Sequence, residues 1–83
     1  MKILYFAWIR ERLNRGEEIV DPPGSVSTVG DLIDWLGSRD EAARLALADR
    51  KAVRVAVNEE LVDHDALLAG ADTVALFPPM TGG

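Results

Sequence analysis

No β-ladder can run through Pro22-Pro23 or Pro78-Pro79, because proline has no backbone N–H to donate. The first step closes residues 17–21, a short segment around Ile19 and Val20 that reads as a strand. The second closes residues 73–77, which read as the last strand. Everything between must fold in about fifty residues, and only a few elements fit there. With 83 residues in all, the chain makes one domain.

Residues 3–8 form an unbroken apolar run, as in a strand covered on both faces. Residues 9–14 hold room for a short helical turn that Gly16 breaks, and a hairpin is the simplest pairing of the first two strands. Residues 28–36 read as the main helix. Thr28 and Asp31 have capping-box spacing, and Val29, Leu32, Ile33 and Leu36 make one apolar face before Gly37. A second, shorter helix is expected over 40–48, capped by Asp40. Val53, Val55 and Val57 alternate with Arg54 and Ala56, the pattern of a half-buried strand. Asn58-Glu59-Glu60 turns the chain, Leu61-Val62 can pair back, and 65–68 has space for one helical turn. Strands and helices do not alternate strictly, so an α+β domain with helices on one sheet face is expected, not a doubly wound sheet.

Composition removes several chemistries. Fourteen acidic against nine basic residues leave a net charge of −5, a poor footprint for a phosphate backbone. No nucleic-acid partner is therefore expected. There is no cysteine and only one histidine, which speaks against thiolate zinc, a thiol nucleophile, a disulfide or a Ser-His-Asp triad. No apolar run approaches a membrane span, so no membrane partner is expected. The start reads as a strand instead of a signal peptide, which points to the cytoplasm. No P-loop or G-x-G-x-x-G appears. Glu59, Glu60, Asp63, His64 and Asp65 read as a solvated turn, and Glu17-Glu18 as neighbours pointing to opposite faces. Tyr5, Phe6, Trp8 and Trp35 read as packing residues.

The unusual feature is the ending, Phe77-Pro78-Pro79-Met80-Thr81-Gly82-Gly83. A rigid Pro-Pro step carries the chain off its last strand, and six extended residues reach roughly 20 Å. Glycine has no Cβ, so such an end can thread a narrow channel in another protein. Its reactive group is the Gly83 carboxylate, ionised at neutral pH and a poor electrophile. Acyl chemistry there needs an ATP-dependent activating partner. The plain alternative is a frayed terminus.

The stretches KILYFAWIRERL, TVGDLIDWL, VAVNEELV and GADTVALFPPMTGG together resemble the small, sulfur-carrier subunits of molybdopterin synthase, a ubiquitin-like family. The resemblance runs through nearly the whole chain in one register, and the ending is its specific part. It implies a β-grasp: a mixed sheet of four to five strands on one main helix plus a short second helix, with the last strand central beside the first. Residues 1–77 would be the domain and 78–83 a flexible Gly-Gly tail. An activating enzyme would use ATP to adenylate Gly83, and a sulfur donor protein would convert it to a thiocarboxylate. The tail, Gly82 included, would enter the large subunit in a heterotetramer of two small and two large subunits. Gly83 would there give sulfur to cyclic pyranopterin monophosphate. This chain would bind no cofactor itself. Phe77, Pro78, Pro79, Met80, Thr81 and Arg10 would contact the partner.

Two departures from the family pattern stand out. Glu59 occupies the place of the usual turn glycine, so a different local turn is expected. Met80-Thr81 replaces a β-branched residue and a small hydroxyl residue. Three other readings remain at this point: a thiamine-pathway sulfur carrier, which Phe-Pro-Pro disfavours; a protein modifier joined to lysine through Gly83; and an interaction module with an inert end.

Overall fold

The computed structural model describes residues 1–79. Five strands form one mixed sheet: β1 (Lys2–Tyr5), β2 (Glu17–Ile19), β3 (Arg54–Val57), β4 (Glu60–Val62) and β5 (Thr73–Phe77). Their order across the sheet is β2-β1-β5-β3-β4. The last strand is central and parallel to the first, with Leu4 opposite Ala75 and Tyr5 opposite Leu76. The β1–β2, β3–β5 and β3–β4 pairs are antiparallel. Parallel neighbours require a long crossover, and here it carries the helices α2 (Val29–Gly37) and α3 (Glu41–Ala46).

Side chains alternate across each strand. Ile3, Tyr5, Val55, Val74 and Leu76 point to one face and are buried with Ile9, Leu13, Val29, Leu32, Ile33 and Leu36 from the helices. Both helices of the crossover begin where their caps predict. Thr28 Oγ1 accepts from the Asp31 N–H, while the Asp31 carboxylate accepts from the N–H groups of Thr28 and Ser27. Those bonds hold the Asp31 carboxyl below its ordinary pKa. Asp40 likewise accepts from the Ala43 N–H, and α3 starts at Glu41. No helix among the described residues is long and apolar enough to cross a membrane.

Four expectations are corrected. The apolar run does not continue as strand to residue 8: β1 stops at Tyr5, and a third helix, α1 (Ala7–Leu13), joins β1 to β2. Ala7 makes the break with φ of 53°, which turns the chain off the sheet, so Ile9 and Leu13 reach the core on a helical period. Of the four aromatics read as packing residues, Tyr5 is buried and Trp8 and Trp35 pack against the core, so only Phe6 departs. Phe6 is 46% exposed, and Trp8 and Trp35 are half-buried beneath Arg12 and Arg39, each guanidinium 5.2 Å from its ring centre. Residues 65–68 form no helical turn. The Asp63 carbonyl accepts from Ala66 N–H in a tight turn, and Leu67 makes an isolated bridge to Thr28. Finally, Asn58-Glu59 is a two-residue hairpin turn, with φ of 50° and 70° and Val57 facing Glu60. Positive φ at both positions is the twist-matched geometry favoured between antiparallel strands. Glu59 adopts it despite its side chain, because Asn58 anchors the turn. The Asn58 side chain accepts from the Asp72 and Thr73 N–H groups and donates to the Gly70 carbonyl.

Candidate functional site

Because β1 and β5 are parallel, they end at the same edge of the domain. Because β3 is antiparallel to β5, it begins there, and Arg54 faces Phe77. Three elements therefore surround the point where the chain leaves its last strand. Phe6 donates its N–H to the Leu76 carbonyl at 3.1 Å, one residue past the Tyr5–Leu76 pair. It thereby comes to lie beside Phe77. Phe77 and Pro78 are half-buried and Pro79 is exposed. Arg10 is exposed on α1, and its guanidinium lies over Gly16, 3.1 Å from where a Cβ would stand. Gly16 in turn accepts the Tyr5 N–H. The structure thus brings Phe77, Pro78 and Pro79 to one end of the sheet and sets Arg10 at that same end. Met80, Thr81, Gly82 and Gly83 lie outside the described residues.

The sheet face away from the helices continues this surface. Its side chains run across the strands as Glu17, Leu4, Ala75, Ala56 and Leu61, in direct register. Leu4, Ala75 and Ala56 are half-buried, and Leu61 is 57% exposed. Among the described residues no helix covers this apolar row. Small alanines at its centre leave an open depression between Leu4, Ala56, Ala75 and Asn58 on a face that can meet a broad surface. Reading 3–8 as doubly covered strand hid Leu4 and Phe6. The parity with Lys2 was the available signal, since residues 2, 4 and 6 of one strand share a face.

The acidic positions do not form a centre. Glu59, Glu60, Asp63 and Asp65 are exposed, and His64 Nε2 donates to the Val53 carbonyl at 2.8 Å, a bond that ties the loop to β3. Glu17 and Glu18 do point apart. Glu17 pairs with Lys2 on the open face, whereas Glu18 turns to the covered side. There it accepts the Tyr5 hydroxyl at 2.5 Å and meets Arg39 and Arg15. Burial alone would raise the Glu18 pKa, but the Tyr5 hydroxyl and the two arginines outweigh it and hold the carboxylate below its ordinary range. This network braces β1 against β2 and the α2–α3 loop. It carries no open position for a substrate.

What remains is an exit point ringed by aromatic, proline and arginine residues, beside an open apolar sheet face. The ThiS family profile matches residues 3–83. A molybdopterin synthase sulfur carrier subunit of Escherichia coli is 37% identical over 83 residues, covering 100% of this chain and 99% of the relative. Its Haemophilus influenzae counterpart is 29% identical over the same span. Among solved structures, a putative molybdopterin converting factor subunit 1 from Pyrococcus furiosus superposes with a TM-score of 0.73 at 31% identity, covering 95% of each chain. Small archaeal modifier protein 1 of Haloferax volcanii gives 0.73 at 30% identity, covering 96% of this chain and 97% of its own.

Proposed function

The chain belongs to the ThiS family, and we propose that it is the sulfur carrier subunit of a molybdopterin synthase, with the Gly83 acyl group as its reagent. The observation that carries this reading is full-length likeness to relatives of that name, joined to a strand order that delivers Phe77-Pro78 to an exposed rim. An activating enzyme spends ATP to join the Gly83 carboxylate to AMP, releasing pyrophosphate. A persulfide sulfur on a donor protein then attacks the acyl carbon and AMP leaves; a thiol reduces the resulting acyl disulfide, freeing the Gly83 thiocarboxylate and returning the donor thiol. The large subunit receives residues 78–83; the thiocarboxylate sulfur attacks cyclic pyranopterin monophosphate, water cleaves the resulting thioester to return the Gly83 carboxylate, and two such transfers supply the two sulfurs of the dithiolene.

The chain's own contribution is placement. A sulfur held at the tip of a docked carrier reacts at high effective concentration, where free sulfide would have to diffuse in. Glycines at 82 and 83 keep the end thin enough for a narrow channel. Phe77 and Phe6 offer aromatic anchors at its mouth, and the Leu4–Ala75–Ala56–Leu61 row extends the contact. Two small and two large subunits complete the assembly, which works in the cytoplasm.

The test is reconstitution. Full-length chain with activating enzyme, ATP, sulfur source and large subunit yields molybdopterin, whereas a chain ending at Thr81 yields none. Product from the shortened chain would contradict the reading. The likeness to the Haloferax modifier protein favours a second use, in which activated Gly83 is passed to a lysine amine. Lysine-linked adducts in cell extract would mark that use. A thiazole synthase as the co-purifying partner would instead assign the chain to thiamine-type sulfur transfer.

A further inference from the structure

Six ion pairs connect described residues: Lys2–Glu17, Arg15–Glu18, Arg15–Asp40, Arg39–Glu18, Arg44–Glu41 and Arg50–Asp34. Among the described residues, Arg10, Arg12, Lys51 and Arg54 have no carboxylate within ion-pair distance. Their positions are not scattered. Arg10 and Arg12 are on α1, which starts where β1 ends. Lys51 lies in the single 3-10 turn Arg50–Ala52 that leads into β3, and Arg54 opens β3 opposite Phe77. All four are exposed and gather toward the end where β5 finishes. Glu11, Glu17, Asp49 and Asp63 are the acids at this end; Glu17 is held by Lys2 and Asp49 is occupied in capping the 3-10 turn. The opposite end carries Lys2, which is paired with Glu17, and the Met1 ammonium, which is bonded to the Val20 carbonyl, among a larger number of acids. Asp21 follows β2, Asp72 precedes β5, Glu59 lies in the β3–β4 turn and Glu60 opens β4.

In a chain of net charge −5 this is a strong polarity. Acidic chains already repel acidic partners, so unpaired cations collected at one rim turn that rim toward negative charge and every other side away from it. We propose that Lys51 and Arg54, with Arg10 across the exit, form a basic collar that docks on an acidic rim around the channel of the large subunit that takes the chain end. The collar selects orientation as well as partner: the end leading into the channel is the one where cations stand without carboxylate partners, so an acidic rim attracts it most. This inference rests on the sulfur-carrier reading and adds the chemistry of the surface that reading requires. Because the cations are exposed, their effect falls mainly on association rate, and salt screens it.

The experiment measures association of full-length chain with the large subunit from the same organism by stopped-flow, from low salt to ~0.5 M salt. The double variant K51E/R54E is compared with G24E/S25E/R44E, which changes net charge equally at exposed positions away from the collar and the open sheet face. Thermal melts confirm that both are folded. The collar predicts an association rate for K51E/R54E lower by about tenfold or more at low salt, converging on wild type at high salt. It predicts a change of about twofold or less for G24E/S25E/R44E. Equal slowing in both variants, or none in K51E/R54E, overturns the collar while leaving the sulfur-carrier reading intact. Failure of the wild-type chain to bind the large subunit overturns both.

Discussion

The Tyr5 hydroxyl, carried into the core by β1, donates to the Glu18 carboxylate of β2 across 2.5 Å, and Arg39 reaches the other oxygen of the same carboxylate. A buried phenol is thereby satisfied by an ion that is itself satisfied from outside the sheet. Tyr5→Phe leaves Glu18 short of one charge-assisted donor and is expected to cost about 1.5–3 kcal/mol, measured by urea unfolding. A cost below about 0.5 kcal/mol would show the hydroxyl to be replaceable by water.

The same group sets an acid limit. Glu18 has a native pKa below its unfolded value of 4.5, so its contribution is complete above that value. It is lost as pH falls from there through the lower native pKa. Asp31 and Asp40, held down by cap hydrogen bonds, act in the same direction. The melting temperature should therefore drop steeply below about pH 4.5, and Glu18→Gln should flatten that slope at the cost of stability at neutral pH. An unchanged slope in Glu18→Gln would place the acid sensitivity elsewhere. At the alkaline end the sign reverses. Tyr5 has a raised native pKa, chiefly through burial, so stability falls as pH climbs past its ordinary value of 10.0.

Glu59 occupies a left-handed position at φ of 70° without the freedom of glycine. Asn-Gly is the favoured pair for such a turn. Glu59→Gly should raise stability by about 1 kcal/mol, or roughly 4–8 °C in a domain of this size. A lower melting temperature would mean that the Glu59 side chain contributes a contact beyond the turn itself.

Core and docking surface should separate cleanly under mutation. Leu32 is fully buried on α2, and Leu32→Ala should cost about 2–5 kcal/mol. Phe6, 46% exposed beside Phe77, should tolerate Phe6→Ser with a small stability change while weakening large-subunit binding about tenfold or more, as read by calorimetric titration. Unaltered binding would remove Phe6 from the interface.

Much of this was written in local pattern. Thr28 and Asp31 announce α2, the Val53-Val55-Val57 alternation announces β3, and Pro78 ends β5 where a ladder must stop. Two features were not local. The break between Tyr5 and Ala7 depends on Ala7 taking a positive φ that alanine does not advertise, so an apolar run looked like continuous strand. Glu18 looked like one of two solvent acids, and only the β1–β2 register and the approach of Arg39 make it a half-buried partner of Tyr5. The exit point was legible in Phe77-Pro78-Pro79. Its neighbours Phe6 and Arg54 were not, because they join it only through the parallel β1–β5 and antiparallel β3–β5 pairings.

The most direct measurement is the intact mass of this protein taken from cells that are making molybdopterin, with fragmentation to locate any change. The account predicts a species in which one sulfur has replaced one oxygen, confined to Gly83, and its reversion to the carboxylate once the large subunit and cyclic pyranopterin monophosphate are added. A chain that carries only an ordinary carboxylate under those conditions, or sulfur that stays in place after the partner and its substrate are supplied, would contradict it.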